Sequence, residues 1–155
     1  IDLVKGGVME FNQTTTLGKA LDNWKSCESR EWEEFETDNG IKVVQFTCQH
    51  KISQYMSKAK SLLSEEKQAK AKHLDIASNI QTFQFTINQG DTFQIDNVQV
   101  KTTWQDGTSF EDSQKPVEQL ETAYANNLNF DPAELNEMGA AQISYVFSMI
   151  KMRAK

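Results

Sequence analysis

Apolar and polar residues alternate with a period of two in two pairs of stretches along this chain, and recur every three to four residues in four others. In the first pair, Val44, Phe46 and Cys48 share one face of a strand over 41–49, with Ile41 and Val43 on the other face. Trp32 and Phe35 mark its partner over 30–37. Asp38-Asn39-Gly40 lies between them, and Asn-Gly readily supplies the positive φ angles of a tight hairpin turn. In the second pair, Phe83, Phe85 and Ile87 alternate with Thr82, Gln84 and Thr86, giving one buried and one wet face, and Gln89-Gly90-Asp91 makes the turn. Phe93 and Ile95 then fall on odd positions but Val98 and Val100 on even ones, so Asp96-Asn97 reads as a bulge that flips the face. Asp106-Gly107 turns the chain once more.

The helical stretches begin after Thr14-Thr15-Thr16, where Leu17, Ala20, Leu21 and Trp24 form one stripe behind a capping hydroxyl. Gly6-Gly7 reads as the opening of a short strand over 8–11. Ile52, Tyr55, Met56, Ala59, Leu62 and Leu63 predict a helix over about 50–73 whose charged, alanine-rich second half projects into solvent or frays. Val117, Leu120, Ala123 and Tyr124 stripe a helix over 116–126. Asp131-Pro132-Ala133-Glu134 is a helix-start signature, and Leu135, Met138, Ile143, Val146, Phe147 and Ile150 stripe the segment that follows, over 132–152. The resulting order, β-α-β-β-α-β-β-α-α, predicts a single α+β domain over 1–155, with an antiparallel sheet of four or five strands and helices packed on one face.

Composition narrows the classes of function. The net charge of −6 opposes a phosphate backbone unless lysines gather on one face. Lys58, Lys60, Lys67, Lys70 and Lys72 do gather, but Glu65 and Glu66 interrupt them, so they read as a solvated helix face and no nucleic-acid partner is expected. No apolar run approaches the roughly 20 residues of a membrane span. The start at Ile1 rather than at a methionine points to a removed leader or a trimmed chain.

Candidate chemistry is sparse. His50, where a strand meets a helix, and His73, in a polar helix, lack metal-ligand spacing and read as surface or helix-cap residues. Cys48 sits on a buried strand face, which suits packing or a disulfide better than a nucleophile. The acidic run Glu31, Glu33, Glu34, Glu36 and Asp38 reads as outward-facing strand carboxylates, and Asp106-Gly107-Thr108 followed by Glu111-Asp112 lacks calcium-loop spacing. Gly6-Gly7 lacks the spacing of a phosphate loop, and Asn12-Gln13-Thr14 fits a glycosylation sequon. The expectation is therefore no catalytic residues, no metal site and no cofactor. Among the tryptophans, Trp24 reads as core, whereas Trp104 is either a core lid or an exposed anchor. The surface expected to meet a partner comprises Trp104, Phe147 and Ile150. The two cysteines by themselves neither demand nor forbid a disulfide, and two unrelated buried thiols are the alternative.

Three groups of short motifs occur in order over about residues 4–104. They are Val4-Lys5-Gly6-Gly7 with Thr16-Leu17-Gly18-Lys19-Ala20-Leu21-Asp22-Asn23; Trp32-Glu33-Glu34-Phe35 with Asn39-Gly40 and Val43-Val44-Gln45-Phe46-Thr47; and Phe83-Gln84-Phe85-Thr86 with Phe93-Gln94-Ile95. The set resembles an uncharacterised family of small bacterial envelope domains, with the pattern V-K-N-G, T-I-G-E-A-F-D, W-x-x-F, D-G-x-x-V-V-x-F-T-G and I-x-F-x-F-T. The chain departs from it with Cys48 where the family often has glycine, and with the charged segment over 50–76. The resemblance implies a periplasmic or extracytoplasmic location, with either a lipid anchor upstream of the domain, as in a lipoprotein, or a membrane anchor before it. In that oxidising space Cys27 and Cys48 are expected to be joined. The function expected is a non-enzymatic binding or scaffold module with a protein partner. The alternatives are a secreted enzyme inhibitor, or a small-ligand binder with a pocket between sheet and helix.

Overall fold

The computed structural model describes residues 1–155 as one α+β unit. Its elements are α1 (Asp2–Lys5), α2 (Leu17–Asp22), β1 (Cys27–Glu36), β2 (Lys42–His50), α3 (Ser53–Ser61), α4 (Glu65–Ala69), β3 (Ile76–Ile87), β4 (Phe93–Trp104), β5 (Ser109–Gln114), α5 (Pro116–Tyr124) and α6 (Glu137–Met152). The five strands form one antiparallel sheet in sequence order, β1-β2-β3-β4-β5, and the helices cover one face.

The hairpins follow the sequence closely. Trp32 pairs with Phe46, and Phe46 with Phe83, so the apolar sets of β1, β2 and β3 meet on the covered face. Gln84 pairs with Asn97 and Phe85 with Ile95, which leaves Asp96 as the extra residue of the expected bulge. The β1–β2 turn differs in detail. The amide of Gly40 donates to the carbonyl of Thr37 and that of Thr37 to the carbonyl of Ile41, giving a three-residue loop with Gly40 alone at positive φ, +80°.

Other expectations are corrected. Residues 8–11 form no strand: Gly6 caps α1 and only a Met9–Asn12 bridge follows. Cys27, which the sequence places in the turn leaving the helix over 17–24, is instead the first residue of β1. The helix expected over 50–73 is cut at Ser64, whose hydroxyl caps α4, and at a 3-10 turn, Lys72–Leu74. That turn folds back, burying Ala71 and Leu74 rather than projecting them. The capping signature at Asp131 starts only a 3-10 turn; Leu135 is extended, and α6 begins after Asn136, whose Oδ1 accepts from the amide of Gly139. β5 has no apolar alternation, since Phe110 is its only large apolar residue, and it forms because β4 offers it a paired edge.

Two side-chain clusters fill the space between sheet and helices. Val4, Leu17, Leu21, Trp24, Val44, Phe46, Phe83, Phe85, Val98 and Leu120 make the larger. Ile52, Met56, Leu74, Ile76, Trp104 and Phe147 make the smaller, around α3 and α6. Each fully buried large side chain contributes roughly 1.5–3 kcal/mol. Gly18 lets α2 pass close over α1, because a Cβ there would meet Lys5 backbone and side-chain atoms at about 3 Å. Cys27 and Cys48 are joined by a buried disulfide, with Cα atoms 5.3 Å apart and a sequence separation of 21. Such bridges form and persist in oxidising compartments.

Two measurements test this account. Gly40→Val should lower the unfolding free energy by about 1 kcal/mol or more in urea titration, because a β-branched residue resists positive φ. Replacing Cys27 and Cys48 together by serine should cost roughly 3 kcal/mol through the lost loop constraint, and a variant as stable as the parent would contradict the bridge.

Candidate functional site

His50 ends β2 on the covered face, between the two apolar clusters, and is 1% exposed. The expectation of a surface or cap residue is thereby corrected. Strand alternation places position 50 inward with Val44, Phe46 and Cys48, and the backbone connection from Trp24 to Cys27 closes over it. The Ser26 hydroxyl lies in hydrogen-bond contact with its Nδ1 at 2.6 Å, and Gln81 Oε1 with its Nε2 at 2.8 Å. Asn129 Nδ2 also lies 3.2 Å from Nε2, so both ring nitrogens have polar neighbours. Burial lowers its pKa below the ordinary 6.5, against the raising effect of the Gln81 side chain and the Ser26 backbone.

The network continues outward. Gln81 Nε2 donates to Gln114 Oε1 at the end of β5 (2.7 Å) and to Gln119 Oε1 on α5 (2.9 Å). A strap over residues 126–130 closes the other side. Its Asn126 Oδ1 accepts from the Lys25 amide (2.8 Å), its Asn127 carbonyl accepts from Trp24 Nε1 (2.7 Å), and its Asn129 amide donates to Ser26 Oγ (3.1 Å). Phe130 packs between the rings of His50 and Tyr55. Asn126 reaches its place at a φ of +56°, which asparagine tolerates better than most residues.

Ser26 and His50 have the residue types of a nucleophile and its base, yet Ser26 is 0% exposed and its oxygen already accepts from the strap. Two clefts flank the strap, of about 510 and 420 Å³. They share Lys25, Leu128 and Phe130, are otherwise lined mostly by polar residues, and lie outside the sheet–helix interface. A second pair joins His73 Nε2 to Ser144 Oγ at 2.7 Å and ties the 3-10 turn to α6. Burial lowers the His73 pKa, while Asp75 raises it. Ser144 lies inside α6, where the backbone amides are engaged in the helix, leaving no donor pair for an oxyanion.

The acidic residues of β1 run along the sheet edge. Glu33 accepts from Gln45, which accepts from Gln84, which accepts from Asn97; these four are paired neighbours in one row across the open, polar face of the sheet. The residues expected to meet a partner are not free to do so. Trp104 is 1% exposed, with its indole N–H donating to the His73 carbonyl, Phe147 is buried, and Ile150 packs half-buried on the same cluster. Trp104 is therefore a core residue, not an exposed anchor.

The exposed apolar surface lies on the opposite side of α6. Met138 (72% exposed), Tyr145 (67%), Val146, Met149 and Met152 (78%) stand out of the helix, and among the exposed positions from Met138 to Met152 only Gln142 is polar. Met138 and Val146, expected on the inner stripe, belong to this outer one. No helix is long and apolar enough to cross a membrane. Comparisons with family models, curated proteins and solved structures find no match for the chain.

The buried imidazole sets a pH dependence. Stability should be full above about pH 6.5, the ordinary imidazole value, and should fall as pH drops, because the unfolded chain binds a proton that folded His50 resists. His50→Gln should flatten this slope between pH 8 and 5.5 in urea unfolding. It should also cost about 2 kcal/mol at pH 8, by leaving Ser26 or Gln81 without its partner.

Proposed function

We propose that this chain is a non-enzymatic binding module of an extracytoplasmic space in a bacterial envelope, engaging protein through the outer face of α6. The single observation that carries the proposal is the composition of that face. A helix apolar on one side is held by its own domain; one apolar on both sides needs a second cover. Ala140, Ile143, Phe147 and Ile150 are turned to the domain, while Met138, Tyr145, Val146, Met149 and Met152 remain outside. Methionine and tyrosine suit such a role: the thioether adapts to irregular surfaces, and the phenol gives area with a polar tip.

The compartment is supported by the Cys27–Cys48 bridge together with the resemblance of residues 4–104 to envelope domains. The absence of catalysis is supported by the sealing of Ser26 and His50 under the strap and by the lack of an oxyanion donor pair beside Ser144.

Affinity capture from envelope extracts, with the parent chain and a Tyr145→Glu/Met149→Glu variant as parallel baits, tests the proposal. Proteins retained by the parent should fall at least tenfold on the variant, whose melting profile should match the parent because both positions are exposed. Equal retention by the two baits, or none by either, would overturn it.

A further inference from the structure

Resting on this reading of α6, we infer that the cover of its outer face is a second copy of the same chain, paired antiparallel about a two-fold axis near Tyr145. Three observations converge on that occupant. First, Met138, Gln142, Tyr145, Met149 and Met152 are spaced 4-3-4-3, the seam that a second helix fills by knobs-into-holes packing. Second, charge is confined to the two ends of the face and has opposite sign: exposed Glu137 opens α6 and exposed Arg153 caps it. An antiparallel pair sets Glu137 against Arg153 of the partner subunit at both ends and lays the helix dipoles side by side in opposite directions. A parallel pair would set like charges together. Third, the face is self-complementary. With Tyr145 on the axis, Met138 meets the Met152 position of the copy, and Ala141 meets its Met149 position, small against large, so one patch serves both subunits as a two-fold interface requires.

The geometry yields a crosslinking test. A thiol at position 145 would meet its own symmetry mate, whereas thiols at 138 would lie about 21 Å apart along the pair, at 1.5 Å per residue. The native bridge is buried and shielded from exchange. Under mild oxidation Tyr145→Cys should therefore give a disulfide-linked dimer, Met138→Cys should not, and the double variant Met138→Cys/Met152→Cys should. In sedimentation equilibrium the parent chain should dimerise with concentration. Glu137→Arg should weaken the dimer at least several-fold, and Glu137→Arg/Arg153→Glu should restore it. A parent that stays monomeric throughout, or Met138→Cys crosslinking as readily as Tyr145→Cys, would overturn the inference. A monomer that still captures another protein through α6 would overturn the dimer alone and leave the binding-module reading standing.

Discussion

A neutral imidazole buried between two apolar clusters is the constraint around which the domain is assembled. His50 can accept one hydrogen bond and donate one, and inside the protein both must be satisfied. Ser26 and Gln81 meet its two ring nitrogens, which fixes the connection between α2 and β1 against the end of β2 and the middle of β3. Gln81 then needs partners for its own amide and finds them on Gln114 and Gln119, at the end of β5 and on α5. The strap over 126–130 completes the enclosure. One titratable ring thus specifies how elements distant in sequence must meet, which close-packed apolar side chains alone do less selectively.

The disulfide and this network work at the same place. Cys48 lies two residues before His50 and Cys27 directly follows Ser26, so the covalent bridge holds together the two segments whose polar groups pair beside it. The bridge limits the freedom of the unfolded chain, whereas the hydrogen bonds select one folded arrangement. The sheet is consequently anchored at the β1–β2 end, where the sequence is richest in charge and the edge strand would otherwise be free.

On this anchored frame the two broad surfaces differ in kind. The open sheet face is polar and crossed by the Glu33–Gln45–Gln84–Asn97 row, which satisfies its own hydrogen bonds and offers little apolar area to a partner. The outer face of α6 is the reverse, apolar and without charge between its ends. Because α6 is fixed from below by Phe147 and Ile143 and from the side by Ser144 on His73, that face is presented on a rigid element. Such pre-organisation lowers the ordering cost of association.

The sequence by itself determined the elements whose information is local. Alternation gave the strands of β1 to β4 and the bulge at Asp96, glycine gave the β1–β2 turn at Gly40, and helical spacing gave α2, α3, α5 and, within α6, the inward positions Ile143, Phe147 and Ile150. The pairing of Cys27 with Cys48 was implied only by the resemblance to envelope domains, because two cysteines by themselves neither demand nor forbid a bridge. The tertiary structure decided what depends on distant residues. β5 exists because β4 has an edge to pair with, although Ser109–Gln114 carries no pattern of its own. The burial of His50 was hidden because a strand end next to a helix looks exposed until Ser26, Gln81 and Asn129 arrive from three other segments. Trp104 could be told from a surface anchor only once α3 and α6 covered it. The outer stripe of α6 was obscured because both sides of that helix are apolar, and periodicity alone does not say which side the domain will claim; the packing of Phe147 against Trp104 and Leu74 settled that choice and left Met138, Tyr145, Met149 and Met152 outside.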